Sequence, residues 1–224
     1  MTHSEIHQYT QTLRLHLLEM CRVSQRCVDY SIKAVQLGRL DFSVSMLNDP
    51  HEIKHLHQDA AEIAQDLLRT GLSHESSLRF VLASIRICDA LQAIHKSALE
   101  IAEAYLFRQE ENSSSTECVD LATIGDTANR LMRLCTVALF EEEAGHAEAA
   151  LRMDTGQRLV ATTLYVWYRR VGLRSRSHID FVQSTADRLD HLIWQMHEMA
   201  RAIIYWLEDT QSDLFFETCR FETA

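Results

Sequence analysis

Five consecutive residues, His51-Glu52-Ile53-Lys54-His55, spell the pattern HExxH. On a helix this sets two imidazoles four residues apart on one face, able to share a zinc ion, with the glutamate placed to activate water. The surroundings argue against that use. Asn48-Asp49-Pro50-His51-Glu52 reads as a helix start, with Asp49 as N-cap, Pro50 in the first helical position and Glu52 as the acid of a capping box. The motif then falls in a first turn, and Gln58-Asp59-Ala60-Ala61 stands where a following GxxH would supply a third ligand. Glu52 to His55 and Glu143 to His146 also repeat an ExxH spacing, the one used by di-iron carboxylate bundles. That chemistry needs both motifs facing inward from mid-bundle, whereas Glu143 and His146 bracket a turn at Gly145 beside the acidic run Glu141-Glu142-Glu143. A solvated helix end is the expectation there.

The remaining candidates are weaker. His95 lies on a helical seam and is expected to be a hydrogen-bonded histidine at the core edge, with Lys96 beside it to repel a cation. Trp167, Trp194 and Trp206, with Tyr165, Tyr168 and Tyr205, enrich the second half in aromatics; packing is the expected role, with an exposed subset free to anchor a partner helix. No Gly-rich phosphate loop, GxSxG elbow or Cys/His nucleophile pair occurs, and nothing reads as an enzyme.

The elements that carry these residues are helical. One Pro and six Gly in 224 residues, with abundant Leu, Ala, Glu, Gln and Arg, predict an all-α chain. Leu13, Leu17, Met20, Ser24, Cys27, Ser31 and Ala34 step by fours and threes, the seam of a helix from about Ser4 to Leu37 that ends at Gly38. A second helical stretch starts near Asp41, is kinked or split at Pro50, and runs to Gly71. Leu78 to Glu103 is the longest clean amphipathic pattern, with Val81, Ile85, Cys88, Leu91, Ile94, Ala98 and Ile101 on one side. Beyond it Leu121, Ile124, Ala128, Leu131, Cys135 and Ala138 match the first seam from Leu17 at an offset of 104 without a gap. A helix from about His146 to Arg170 then matches the second, and Ile179 to Leu207 matches the third. The fold expected is two tandem antiparallel three-helix bundles related by an internal repeat. Arg108 to Glu117, RQEENSSSTE, is a polar segment with nothing to bury, which places the bundles at residues 1–110 and 119–224 with a linker at 111–118.

Charge and cysteine usage bound the setting. A net charge of −10 disfavours nucleic acid and bare anionic membrane as partners. Arg169, Arg170, Arg174 and Arg176 form a local basic patch, read first as complementing a helix's C-terminal dipole and second as a surface for an acidic partner. The longest apolar run, Ala202 to Leu207, falls well short of the roughly 20 residues a membrane span needs, and the polar amino terminus lacks a signal-peptide layout. Cys21, Cys27, Cys88, Cys118, Cys135 and Cys219 form no CxxC pair and read as reduced core thiols of a cytoplasmic protein.

The run Leu78-Arg79-Phe80-Val81-Leu82-Ala83-Ser84-Ile85-Arg86-Ile87, with Ala98-Leu99-Glu100-Ile101-Ala102-Glu103, resembles the PhoU family of phosphate-uptake regulators. Leu17-Leu18-Glu19-Met20 and Ala186-Asp187-Arg188-Leu189-Asp190 extend the resemblance over nearly the whole chain in the same order. It implies a cytoplasmic, non-enzymatic adaptor that dampens phosphate-starvation signalling by contacting the ATPase of a phosphate ABC transporter, a membrane sensor kinase, or both. It also implies an acidic E/DxxxD motif in the third helix of each half, which stacks two carboxylates on one face as hard ligands for a divalent cation or iron. Here the first-half positions are Gln92 and Lys96, so no site is expected in that half. In the second half Asp190 remains but its partner position is Trp194, leaving a weak metal site at Asp187 and Asp190, with Asp154 approaching from the middle helix, as the most the resemblance allows. Two functional expectations follow: a PhoU-like adaptor, possible as a homodimer since the seams can continue across a subunit boundary, and a metal-binding helical bundle using the ExxH or HExxH ligands.

Overall fold

The computed structural model describes residues 3–37, 52–72, 75–110, 119–153 and 176–208. These form six helices, α1 (His3–Leu37), α2 (Glu52–Arg69), α3 (Glu75–Glu110), α4 (Val119–Glu141), α5 (Ala144–Arg152) and α6 (Arg176–Leu207), and no strand occurs among the described residues. No helix among them is long and apolar enough to cross a membrane.

In the first half α1 and α3 run parallel. The Ser24 hydroxyl donates to the Leu91 carbonyl at 3.2 Å, and one turn on the Cys27 thiol lies 3.9 Å from the His95 carbonyl. The small polar groups on this seam let two helix backbones approach while satisfying themselves on carbonyls. Helix α2 runs antiparallel to both, burying Ile53, Ala60, Ala64 and Leu67. Arg26 of α1 reaches Glu52 at 2.8 Å, and His57 reaches Asp89 of α3 at 2.9 Å.

The second half repeats this arrangement. Cys135 of α4 donates to the Met196 carbonyl of α6 at 3.4 Å. Shifting α4 back by 104 and α6 back by 98 turns that pair into Ser31 and Ala98, the next step after Ser24/Leu91 and Cys27/His95. The repeat read from the α1 and α4 seams is therefore kept in three dimensions. Helix α5 packs on α4 and α6 as α2 packs on α1 and α3.

The halves join along two antiparallel crossings. Between α3 and α6, Phe80 meets Trp206 with ring centroids 4.9 Å apart, Arg86 pairs with Glu198 at 3.3 Å, and Glu100 pairs with Arg188 at 3.6 Å. Glu100 and Glu198 are repeat equivalents at the offset of 98, so each half presents a glutamate to an arginine of the other. Between α1 and α4, Arg14 pairs with Glu142 and Gln36 donates to Asp126 at 3.0 Å. A single continuous core spans both halves, with Leu17, Met20, Ile94, Leu131, Leu192 and Met196 fully buried in it. At about 1.5–3 kcal/mol for each large aliphatic side chain, this burial far outweighs the surface ion pairs.

Two helix ends differ in chemistry. Helix α2 stops at Gly71, whose φ of 68° lies in the left-handed region that glycine enters without strain. Helix α4 stops with Glu142 in that region at φ 55°, and the Glu143 amide reaches back to the Ala138 carbonyl at 3.2 Å. The turn thus precedes Gly145, which is the second residue of α5, where the glycine had pointed to a turn centred on itself. A glutamate takes the left-handed position here, and its side chain pairs with Arg14 across the α1–α4 crossing. Helix α3 runs through Arg108 to Glu110, the polar start of the RQEENSSSTE segment; arginine, glutamine and glutamate are good helix formers once a long helix leads into them. The stretch around Pro50, the expected middle helix beyond Met153, and Arg169, Arg170 and Arg174 lie outside the described residues.

Gly125 marks a close approach of α4 to the Ile32 side chain of α1. A Cβ built there would sit 2.7 Å from Cγ2 of the buried Ile32. Gly125→Ala should therefore destabilise by about 1 kcal/mol, because overpacking of about 1–3 kcal/mol exceeds the roughly 1 kcal/mol gained in helix propensity. Urea unfolding of Gly125→Ala, Ile32→Ala and the double variant tests this: the double variant should lose less than the sum of the two single losses.

Candidate functional site

The positions that would carry the acidic motif of α3 hold no ligand set. Gln92 is half-buried, and exposed Lys96 places its ammonium 3.9 Å from Glu100. A cation in a would-be ligand position repels a metal ion. On α6, Asp187 is exposed and Asp190 half-buried on the next turn of the same face. Partial burial, and then the neighbouring Asp187 charge, push the Asp190 carboxyl above its ordinary value, while His191 pulls the other way. Trp194 occupies the second motif position, 47% exposed and stacked on His191 with centroids 5.8 Å apart and planes at 25°. An indole ring offers a metal no lone pair. Asp154, the third residue of the expected set, lies outside the described residues, so the structure brings together Asp187 and Asp190 alone.

The described HExxH residues do not converge on a common site, and Ile53 alone among them is buried. Glu52 opens α2 and is held by Arg26 at 2.8 Å and Arg22 at 3.6 Å, both from α1. Both oxygens of this carboxylate are thereby engaged in ion pairs. His55 points to solvent, and His51 lies outside the described residues. The second ExxH pair does meet a third group: the His146 Nε2 is 3.3 Å from Glu141 and 3.6 Å from Glu143. These three are the one set of His, Cys, Asp or Glu among the described residues whose ligand atoms all lie within 4.8 Å of one another. The set sits on the surface at the α4–α5 turn. The two ExxH motifs form no common centre, one being tied to α1 and the other to the end of α4.

His95 departs from expectation. It is only 5% exposed, and neither ring nitrogen has a hydrogen-bond partner. Burial, assisted by the nearby Arg26 charge, pushes its pKa down to about 4. The ring is a neutral core group. Burial likewise raises the thiols of Cys27, Cys88 and Cys135 to about 12, and Cys21 in the same direction, which keeps them protonated and unreactive. These four are free and buried as the sequence implied, and Cys118 and Cys219 lie outside the described residues.

No family model matches the sequence, and no curated protein matches it. Solved structures do match. PhoU from Pseudomonas aeruginosa superposes with a TM-score of 0.81 at 17% identity, over 91% of this chain and 99% of that one. The chain has the PhoU fold. The phosphate transport system regulatory protein PhoU from Streptococcus pneumoniae matches with a TM-score of 0.76 at 15% identity, over 93% of this chain and 99% of that one. The PhoU fold tolerates so low an identity because it rests on apolar seams, where residues of similar size exchange at small cost. Exposed positions such as 96 and 194 are free of that constraint.

What the sequence did not show is which aromatic stays outside. Trp206 packs on Phe80 and Trp194 does not pack, and the signal that separated them was the place of Trp194 in the diverged acidic motif.

The buried histidine has a pH consequence. Above pH 6.5 His95 is neutral folded or unfolded and contributes nothing to pH dependence. As pH falls from 6.5 toward about 4 the unfolded chain takes up the proton and the folded chain does not, so stability falls, by about 3 kcal/mol at most. His197, also lowered by burial, adds in the same direction. Glu19, held low by Arg22, loses its contribution only below its ordinary value of 4.5, at the acid end of this range. Denaturant unfolding at pH 7.5 and 4.5 should show a smaller acid loss for His95→Leu than for the parent; equal losses would remove His95 as the cause.

Proposed function

We propose that the chain is a PhoU-like regulator of phosphate uptake and phosphate-starvation signalling, acting in the cytoplasm by binding rather than catalysis. Its partners are then the ATPase of a phosphate ABC transporter, a membrane sensor kinase, or both. The observation that carries this reading is the match over the full architecture: more than nine-tenths of this chain and 99% of each PhoU chain superpose. Glu52, the glutamate of the HExxH pattern, is engaged by Arg22 and Arg26, which speaks against its use as a hydrolytic base.

A second reading, a metal-holding bundle, is favoured by the meeting of Glu141, Glu143 and His146. The acidic set Asp154, Asp187 and Asp190 would be its other location.

Deleting the gene should leave phosphate-responsive genes expressed in phosphate-replete cells, and the tagged chain should retain a transporter ATPase or sensor kinase on affinity capture. Unchanged phosphate-responsive expression, with neither component captured, contradicts the adaptor reading. Metal analysis of the purified chain separates the alternative: stoichiometric metal lost in His146→Ala or Asp190→Asn supports it, and sub-stoichiometric metal in the parent excludes it.

A further inference from the structure

Asp187, Asp190, His191 and Trp194 fall three, four and seven residues apart on α6, which gathers them on one face. A helical side chain leans toward its helix's N-terminus, so the indole lies over the turn that carries Asp190 and His191, and its stacking on His191 shows this directly. The result is a partly exposed aromatic plate with two carboxylates beside it.

Those carboxylates stand apart from most acids of the described surface. Glu19 holds Arg22, Asp66 holds Arg69, Glu148 holds Arg152 and Glu198 holds Arg201. Neither Asp187 nor Asp190 has a hydrogen-bond or ion-pair partner among the described residues. Arg188, adjacent to Asp187, is turned away to Glu100 of α3 and to the Ser184 carbonyl. Partial burial and then the Asp187 charge raise the Asp190 carboxyl, and His191 on the same face opposes this, so a cation added beside the pair is favoured there.

We propose that this face of α6 docks a cationic segment of a protein partner, with an arginine seated on the Trp194 ring and paired to Asp187 and Asp190. A guanidinium suits the site best, because its plane stacks on an indole while its edge presents two N–H donors to a carboxylate. The net charge of −10 steers such a segment toward the chain. A metal ion suits it less, since a tryptophan replaces a ligand and two monodentate carboxylates leave most of a hard cation's coordination to water. This deepens the adaptor reading and rests on it for the existence of a protein partner.

The test titrates the full chain calorimetrically with alanine-based helical peptides carrying arginine, lysine or glutamate at otherwise identical positions, at physiological salt. The arginine peptide should bind best, the glutamate peptide should not bind, and the Trp194 indole resonance should shift on binding. Trp194→Ala and the double variant Asp187→Asn with Asp190→Asn should each weaken binding by about tenfold, while Glu62→Gln, an exposed acid on α2, should leave it unchanged. Absence of binding by the parent overturns the proposal. So does equal binding by Trp194→Ala and the parent, which would mean diffuse attraction to an acidic surface. Manganese that displaces the peptide and is itself lost in Asp190→Asn overturns it in favour of a metal. Each of these results leaves the phosphate-regulation reading standing, because that reading is decided by the deletion phenotype.

Discussion

The structure depends on the burial of α3 against α6. Each helix exceeds 30 residues, and each packs both within its own half and across to the other. One side of α3 packs on α1 and α2, and another packs on α6; α6 stands in the mirrored situation with α4 and α5. The antiparallel crossing therefore turns two incomplete bundles into one body with a continuous core. The paired Arg86–Glu198 and Glu100–Arg188 contacts flank that crossing and fix its register, while the free energy comes from the apolar seam between them.

The repeat explains why the polar groups inside this core are tolerated. Ser24, Cys27 and Cys135 sit where parallel helices come closest, and each finds a carbonyl on the neighbouring helix. His95 is the exception, buried with both ring nitrogens unpartnered. An unpaired polar ring in a core costs free energy that a hydrocarbon of similar size would not. Its position ties folding to the neutral side of its titration.

The fold was legible because helical bundles write their packing into the spacing of apolar residues. The seams from Leu13 and Leu121, the offset of 104, and the long Leu78–Glu103 pattern each reappear as a helix in the expected order. Turn chemistry was less legible. Gly145 looked like the turn residue, yet Glu142 takes the left-handed conformation and pairs with Arg14 of α1, a long-range contact that no local propensity records. The candidate site was legible mainly as a departure: Gln92, Lys96 and Trp194 mark where ligands are missing. Which face Trp194 would leave open depended on how α6 rotates against its neighbours, and that is set by the whole core. The helix-start context of the HExxH pattern was legible, but the pairing of its glutamate with arginines some 26–30 residues earlier in the chain was not.

The central claim is that the two halves fold as one body around the α3–α6 crossing. Native-state amide hydrogen exchange across a denaturant series measures this residue by residue. One body predicts that the slowest amides of α1, α3, α4 and α6 exchange through a single opening whose free energy equals that of global unfolding. A plateau of lower free energy shared by α4 and α6, with α1 and α3 still protected, would contradict it and make the halves independent bundles.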